Sequence, residues 1–180
     1  EEITFTTPTA VAQIGTTYYS SLSNAISAAS NSTITMLADT TESVDISERK
    51  EIVIALNGQN IGSITNSGTL GITGAGTISS KAGNAIINHG ALNISGAAHI
   101  IGESTDDGTY KPTLYNYGTL DMTGGTISAT ISYALTNRGT VNISGDAKIT
   151  GETTDDGKNC ATLYNYSEGT VKIAGGTIRS

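Results

Sequence analysis

Apolar residues along this chain come in short alternations separated by turn residues, not in the wider stripes of amphipathic helices. One frame, Asn-x-Gly-Thr-Leu-x-Ile-x-Gly, recurs five times. It reads NSGTLGITG from Asn66, NHGALNISG from Asn88, NYGTLDMTG from Asn116, NRGTVNISG from Asn137 and NYSEGTVKIAG from Asn165. The pairs Leu70/Ile72, Leu92/Ile94, Leu120/Met122, Val141/Ile143 and Val171/Ile173 mark one strand. Ile78, Ile100, Ile127, Ile149 and Ile178 mark a second, and Ile86, Leu114, Leu135 and Leu163 a third. Period-two alternation puts one face of each strand inward. Three short strands per coil of about 21 residues is the arithmetic of a parallel β-helix, whose coils bury their apolar faces only by stacking.

The two longer coils carry matching insertions, GESTDDGTYKP (Gly102 to Pro112) and GETTDDGKNCA (Gly151 to Ala161). A two-coil unit has therefore been duplicated. The fixed offset of Asn66, Asn88, Asn116, Asn137 and Asn165 from the apolar pair predicts a single stacked column. Asparagine tolerates left-handed backbone geometry, so a turn position is expected there, with amides bonding from coil to coil.

The first 60 residues follow another pattern. Leu22, Ala25, Ile26 and Ala29 fall at i, i+3, i+4 and i+7, which predicts a helix over Ser20 to Ala29 capped by Ser20 or Ser21. Strands are expected at 33–38, 43–47 and 51–56, followed by an Asn57-Gly58 turn. Residues 1–60 read as an N-terminal cap, with a strand, the helix and a first coil. Residues 61–180 read as the coils, truncated at the C-terminus. A helix laid across the first coil would cover its strand edges.

The stretches AQIGTTYYSSLSNAISAA, ITMLADTTESVDI, IVIALNGQNI and ITNSGTLGITGAGTIS resemble the β-helical modules of large surface proteins from Gram-positive gut bacteria. Those modules are similar in architecture to pectin-lyase-like β-helices. The resemblance implies an all-β, single-stranded, right-handed parallel β-helix with an N-terminal capping α-helix, in an extracellular setting. The right hand comes from the resemblance alone. It implies no particular activity.

Composition agrees with strands and turns. The 180 residues include 22 Gly, 29 Thr and 19 Ser, and only 14% are charged. The net charge is −7 and the nine basic residues are scattered, so no nucleic-acid footprint exists. No apolar run is long enough to insert in a membrane. A single cysteine, Cys160, excludes an internal disulfide and a paired-cysteine metal site. The chain begins Glu1-Glu2 and ends inside a repeat, as an excised piece of a longer secreted or surface protein would.

Candidate chemistry is sparse. Asp106 and Asp107 sit in one insertion and Asp155 and Asp156 in the other, with Lys111 and Lys158 nearby. Lyase chemistry needs clustered carboxylates on Ca²⁺ and a base, but the intervening coil separates the two pairs. Their spacing is also not that of a calcium loop. A solvated Asp-Gly turn, isolated Ca²⁺ binding and a remote Ca²⁺-dependent polysaccharide lyase all remain open. His89 and His99 read as solvated surface residues, and Cys160 as an inert thiol. The repeated Leu-Tyr-Asn-Tyr places Tyr115, Tyr117, Tyr164 and Tyr166 outward, beside the insertions. They either stack on successive sugars or pack down to shield the strand. The outward threonines at 69, 119, 140 and 170 are explained by β-propensity.

The expected function is non-catalytic: an extracellular β-solenoid module of a bacterial surface protein, for adhesion or presentation, with no metal and no cofactor. The alternative is a carbohydrate-binding module using the tyrosines. Expected partners are glycans or host surface proteins, with neither nucleic acid nor membrane insertion. Weak end-to-end self-association is also expected.

Overall fold

Up to Ile149, the apolar alternations form strands whose inward residues are buried. Along Thr69–Thr73, Leu70 and Ile72 are fully buried while Thr69 is exposed. The same alternation holds along Glu51–Ala55 and Ala98–Gly102. The computed structural model describes residues 9–81, 83–102, 111–130, 132–151 and 161–180.

The described strands form three sheets. One sheet holds Val44–Ile46, Ile64–Asn66, Ile86–Asn88, Leu114–Asn116, Leu135–Asn137 and Leu163–Asn165, in that order. The second runs from the hairpin Ala12–Ile14 and Thr17–Tyr19 through Ser32–Met36, Glu51–Ala55, Thr69–Thr73, Ala91–Ile94, Thr119–Met122 and Thr140–Ile143 to Thr170–Ile173. The third holds Asn60–Ile61, Gly76–Ser80, Ala98–Gly102, Thr126–Ala129, Lys148–Gly151 and Thr177–Arg179. From Val44 onward the chain visits the three sheets in turn, so each strand pairs with its counterpart one coil away. These pairings are parallel, as in a β-solenoid. Register aligns like with like: Leu92 pairs with Leu70 and Leu120, and Ile100 with Ile78 and Ile127. The interior is one continuous apolar cluster from Ala12 to Ile149. Each fully buried Leu or Ile is worth roughly 1.5–3 kcal/mol relative to exposure.

The N-terminal end is built differently. The sequence pattern predicts one strand there, whereas the structure has an antiparallel hairpin that edges the second sheet through Ala12–Met36 pairing. The helix α1 spans Leu22–Ala28, shorter than expected at each end, and Ser21 is its cap. The Ser21 Oγ accepts from Asn24 N at 3.1 Å. Leu22, Ala25 and Ile26 face the core.

Two side chains that no local pattern announces hold α1 down. The Glu42 carboxylate accepts from Leu22 N, Ser23 N and Ser23 Oγ at 3.2, 3.1 and 2.7 Å. At the other end Lys50 Nζ donates to Ser27 O and Ala29 O at 2.9 and 2.6 Å. An anion thus sits at the helix start and a cation at its end, each complementing the helix dipole.

Burial pushes the Glu42 carboxyl up, but its bonds from Ser23, Leu22 and Thr40 together hold it below the usual carboxylate value. A lowered folded value means its stabilisation is complete above the ordinary carboxylate pKa and fades as pH falls through the folded one. Glu42→Ala should therefore cost about 1 kcal/mol at neutral pH. The difference in melting temperature from the parent should close as pH drops below the carboxylate range. A gap that stays constant down to that acidity would refute the role of charge.

Candidate functional site

The asparagine of the repeated frame ends the last five strands of the six-stranded sheet that begins at Val44, where Ile46 holds the equivalent place in the first, and the five asparagines stack in one column. Asn66 Nδ2 donates to Asn88 Oδ1 at 2.8 Å, and Asn88 to Asn116 at 2.7 Å. Asn116 then donates to Asn137 at 2.8 Å, and Asn137 to Asn165 at 2.7 Å. Each of the four donors also bonds a backbone carbonyl two residues on and another in the next coil, as Asn116 does with Gly118 O and Thr140 O. Asn66, Asn88, Asn116 and Asn137 are completely buried. The left-handed geometry expected for this column is not found. Among the described non-glycine residues, only Asn31 and Asn57 have positive φ. The ladder asparagines are strand residues, selected for their amides and not for a turn conformation.

Flanking the ladder in sequence lie two further columns of residues. The residue before each ladder asparagine gives Thr65, Ile87, Tyr115, Thr136 and Tyr164 in register. The residue after it gives Ser67, His89, Tyr117, Arg138 and Tyr166. His89 lies flat on Tyr117, with ring centroids 4.8 Å apart, and Tyr117 lies flat on Tyr115 at 4.4 Å. Arg138 places its guanidinium 3.7 Å from the Tyr166 centroid. It also donates Nε to the Tyr115 hydroxyl at 2.9 Å and pairs with Glu168 at 2.6 Å. The Glu168 carboxyl is held below its usual value first by its own backbone N–H, with Ser167 and Arg138 adding. Side chains of four successive coils are thereby joined on one surface.

This arrangement corrects a simple picture of four outward tyrosines. Tyr117 and Tyr164 are exposed at 44% and 42%, but Tyr115 and Tyr166 are half-buried. Thr136, flanked by Tyr115 and Tyr164, is only 4% exposed, and its hydroxyl has no hydrogen-bond partner. Faces of Tyr115, Tyr117 and Tyr166 are engaged by other side chains. Aromatic quadrupoles and cation–π attraction account for the contacts. Sequence spacing could place the tyrosines on one side, but it could not show that Arg138, from the coil between, would join them.

His99 departs from the solvated surface residue expected of it. It is half-buried on its strand, its Nε2 lies 2.9 Å from Ser128 Oγ, and burial lowers its pKa. His89 is exposed, as a turn residue should be. Asp106, Asp107, Asp155, Asp156, Lys158 and Cys160 lie outside the described residues. Among the described residues no group of three His, Cys, Asp or Glu could hold a metal ion. No helix among them is long and apolar enough to cross a membrane. In the last coil Ile173 is 60% exposed, and Leu163, Val171 and Ile178 are half-buried.

Two hollows mark the described surface, and the smaller adjoins the tyrosines. One, of about 370 Å³, is lined by Asn84, Ile87, His89, Lys111, Pro112, Tyr115 and Tyr117. A larger notch of about 720 Å³ lies beside Gly62 and Ser63, with Thr40, Ser43 and Ser80 also in its lining. Comparison with protein-family models, curated proteins and solved structures returns no significant match.

Proposed function

We propose that this chain is a non-catalytic, extracellular module of a bacterial surface protein, whose job is to project and present a surface for adhesion. In this reading it is a single-stranded, right-handed, pectin-lyase-like β-helix with a basic coil of about 21 residues. The observation that carries it is the unbroken repetition from coil to coil. The apolar columns, the asparagine ladder and the outer Arg138–tyrosine contacts all run along the same stack. Such nearest-neighbour stacking makes a stiff, extensible rod. Its polar outer positions are free to vary without disturbing the core.

A second reading, carbohydrate binding through Tyr115, Tyr117, Tyr164 and Tyr166, is favoured by the exposure of Tyr117 and Tyr164. It is weakened by ring faces already spent on neighbouring side chains. A Ca²⁺-dependent lyase would require a site built by the insertions alone.

The purified chain, immobilised and probed with a glycan array and with host extracellular proteins, should retain a protein or glycan. It should release no unsaturated uronate from polygalacturonate with Ca²⁺ present. Uronate release above a boiled control would overturn the non-catalytic reading. Failure to retain anything from either panel would overturn the adhesive one.

A further inference from the structure

The 49-residue duplication makes the outer surface a pair of equivalent sites. Residues Asn84, His89, Tyr115 and Tyr117 of the first correspond to Tyr133, Arg138, Tyr164 and Tyr166 of the second. The fully buried neighbours Ala85 and Ala134 confirm the alignment. In both sites the residue after the ladder asparagine lies over the next coil's tyrosine, His89 on Tyr117 and Arg138 on Tyr166. In both, the two tyrosines of the coil contact each other, at 4.4 and 4.9 Å.

The sites differ in how the two tyrosines meet, flat at 5° in the first and edge-on at 84° in the second, and in the residue that flanks them. In the second, the Tyr133 ring packs against Tyr164 with centroids 5.5 Å apart and a tilt of 52°. In the first, the corresponding residue is Asn84, which has no ring and turns its amide to Pro112 O. The hollow of about 370 Å³ lies there, against Tyr115. Its size is within the range of ligand pockets.

We propose that the hollow beside Tyr115 receives a phenol ring, the tyrosine side chain of a protein partner. Tyr133 shows what the site accepts when the chain supplies the ring itself. The stand-in is aromatic and meets its tyrosine at a tilt, the arrangement that ring quadrupoles favour. A pyranose would instead need a flat, open face. Ile87 and Pro112 supply apolar walls, and His89 and Lys111 border the hollow. This inference rests on the adhesive reading above and names the chemistry by which a protein partner would be held.

The test is a titration with N-acetyl-L-tyrosinamide, followed by NMR of the His89 ring protons, with methyl β-D-glucopyranoside as comparator. The parent chain should bind one ring saturably. Asn84→Tyr, which supplies the ring internally, should weaken binding by about tenfold or more. Tyr133→Asn should open the second site and bind two rings. Melting curves accompany both variants, and if Tyr133→Asn unfolds, Asn84→Tyr alone decides. Absence of a saturable shift, undiminished binding by Asn84→Tyr, or tighter binding of the glucoside overturns the proposal. If the parent still adheres to immobilised host proteins in that case, only the phenol receptor falls and the adhesive reading stands.

Discussion

Asn116→Leu should destabilise the chain by roughly 3–5 kcal/mol, one of the two largest effects expected of any single substitution here. Leucine keeps the branched heavy-atom skeleton of asparagine, so the loss is not that of a cavity. The Asn116 side chain donates to Asn137 Oδ1, Gly118 O and Thr140 O, and accepts from Asn88 Nδ2. It is completely buried, so no water replaces these partners. Removing it takes a buried partner from Asn88 Nδ2, Asn137 Oδ1, Gly118 O and Thr140 O at once and sets apolar methyl groups among them. Asn165→Ala makes the informative comparison, because the last rung is exposed and bonds only Asn137 and Gly169 O. It should cost less than about 1 kcal/mol. Denaturant melts showing equal losses at the two positions would mean that the ladder's stabilisation does not come from burial.

Gly118→Ala is expected to be comparably damaging, by about 2–4 kcal/mol. The glycine is needed for its missing side chain and not for a positive φ. A Cβ at Gly118 would collide with the carbonyl of Gly90, and one at Gly139 with the carbonyl of Gly118. These are backbone atoms pinned by coil-to-coil bonds such as Thr119 N to Gly90 O at 2.9 Å, so they cannot yield. Gly71→Ala is the control. There an added Cβ meets only the Val53 side chain, at 3.1 Å from Cγ2, and the change should stay within about 1 kcal/mol. Circular dichroism melts of the two variants should separate clearly. Similar melting temperatures would show that close backbone approach is not what the frame's glycine provides.

The coil organisation could be read from the chain itself, because a stacked fold repeats the same physical demand at every turn. The Leu-x-Ile pairs had to be inward by their period, and the structure places Leu70, Leu92, Leu120 and Val141 in one register column. The helix was legible from Leu22, Ala25 and Ile26 for the same reason of periodicity. The asparagine column was legible as a position but not as a conformation. Spacing aligns residues, whereas φ depends on whether the strand ends before or after them.

What the sequence determined by itself, then, was everything governed by local period and repetition: strands, inward faces, the stacked asparagines and the matched insertions. Tertiary structure decided whatever depends on residues distant in the chain meeting. Glu42 and Lys50 bracket α1 from the first coil, and nothing in the spacing of either residue signals a helix end 19 to 23 positions away. Arg138 crosses to Tyr115 and Tyr166, turning outward rings into a mutually packed surface. Asn84 and Tyr133 are equivalent in the repeat, yet one borders a hollow and the other packs its ring against Tyr164. Period fixes which way a side chain points, but only the neighbouring coils decide what it meets there.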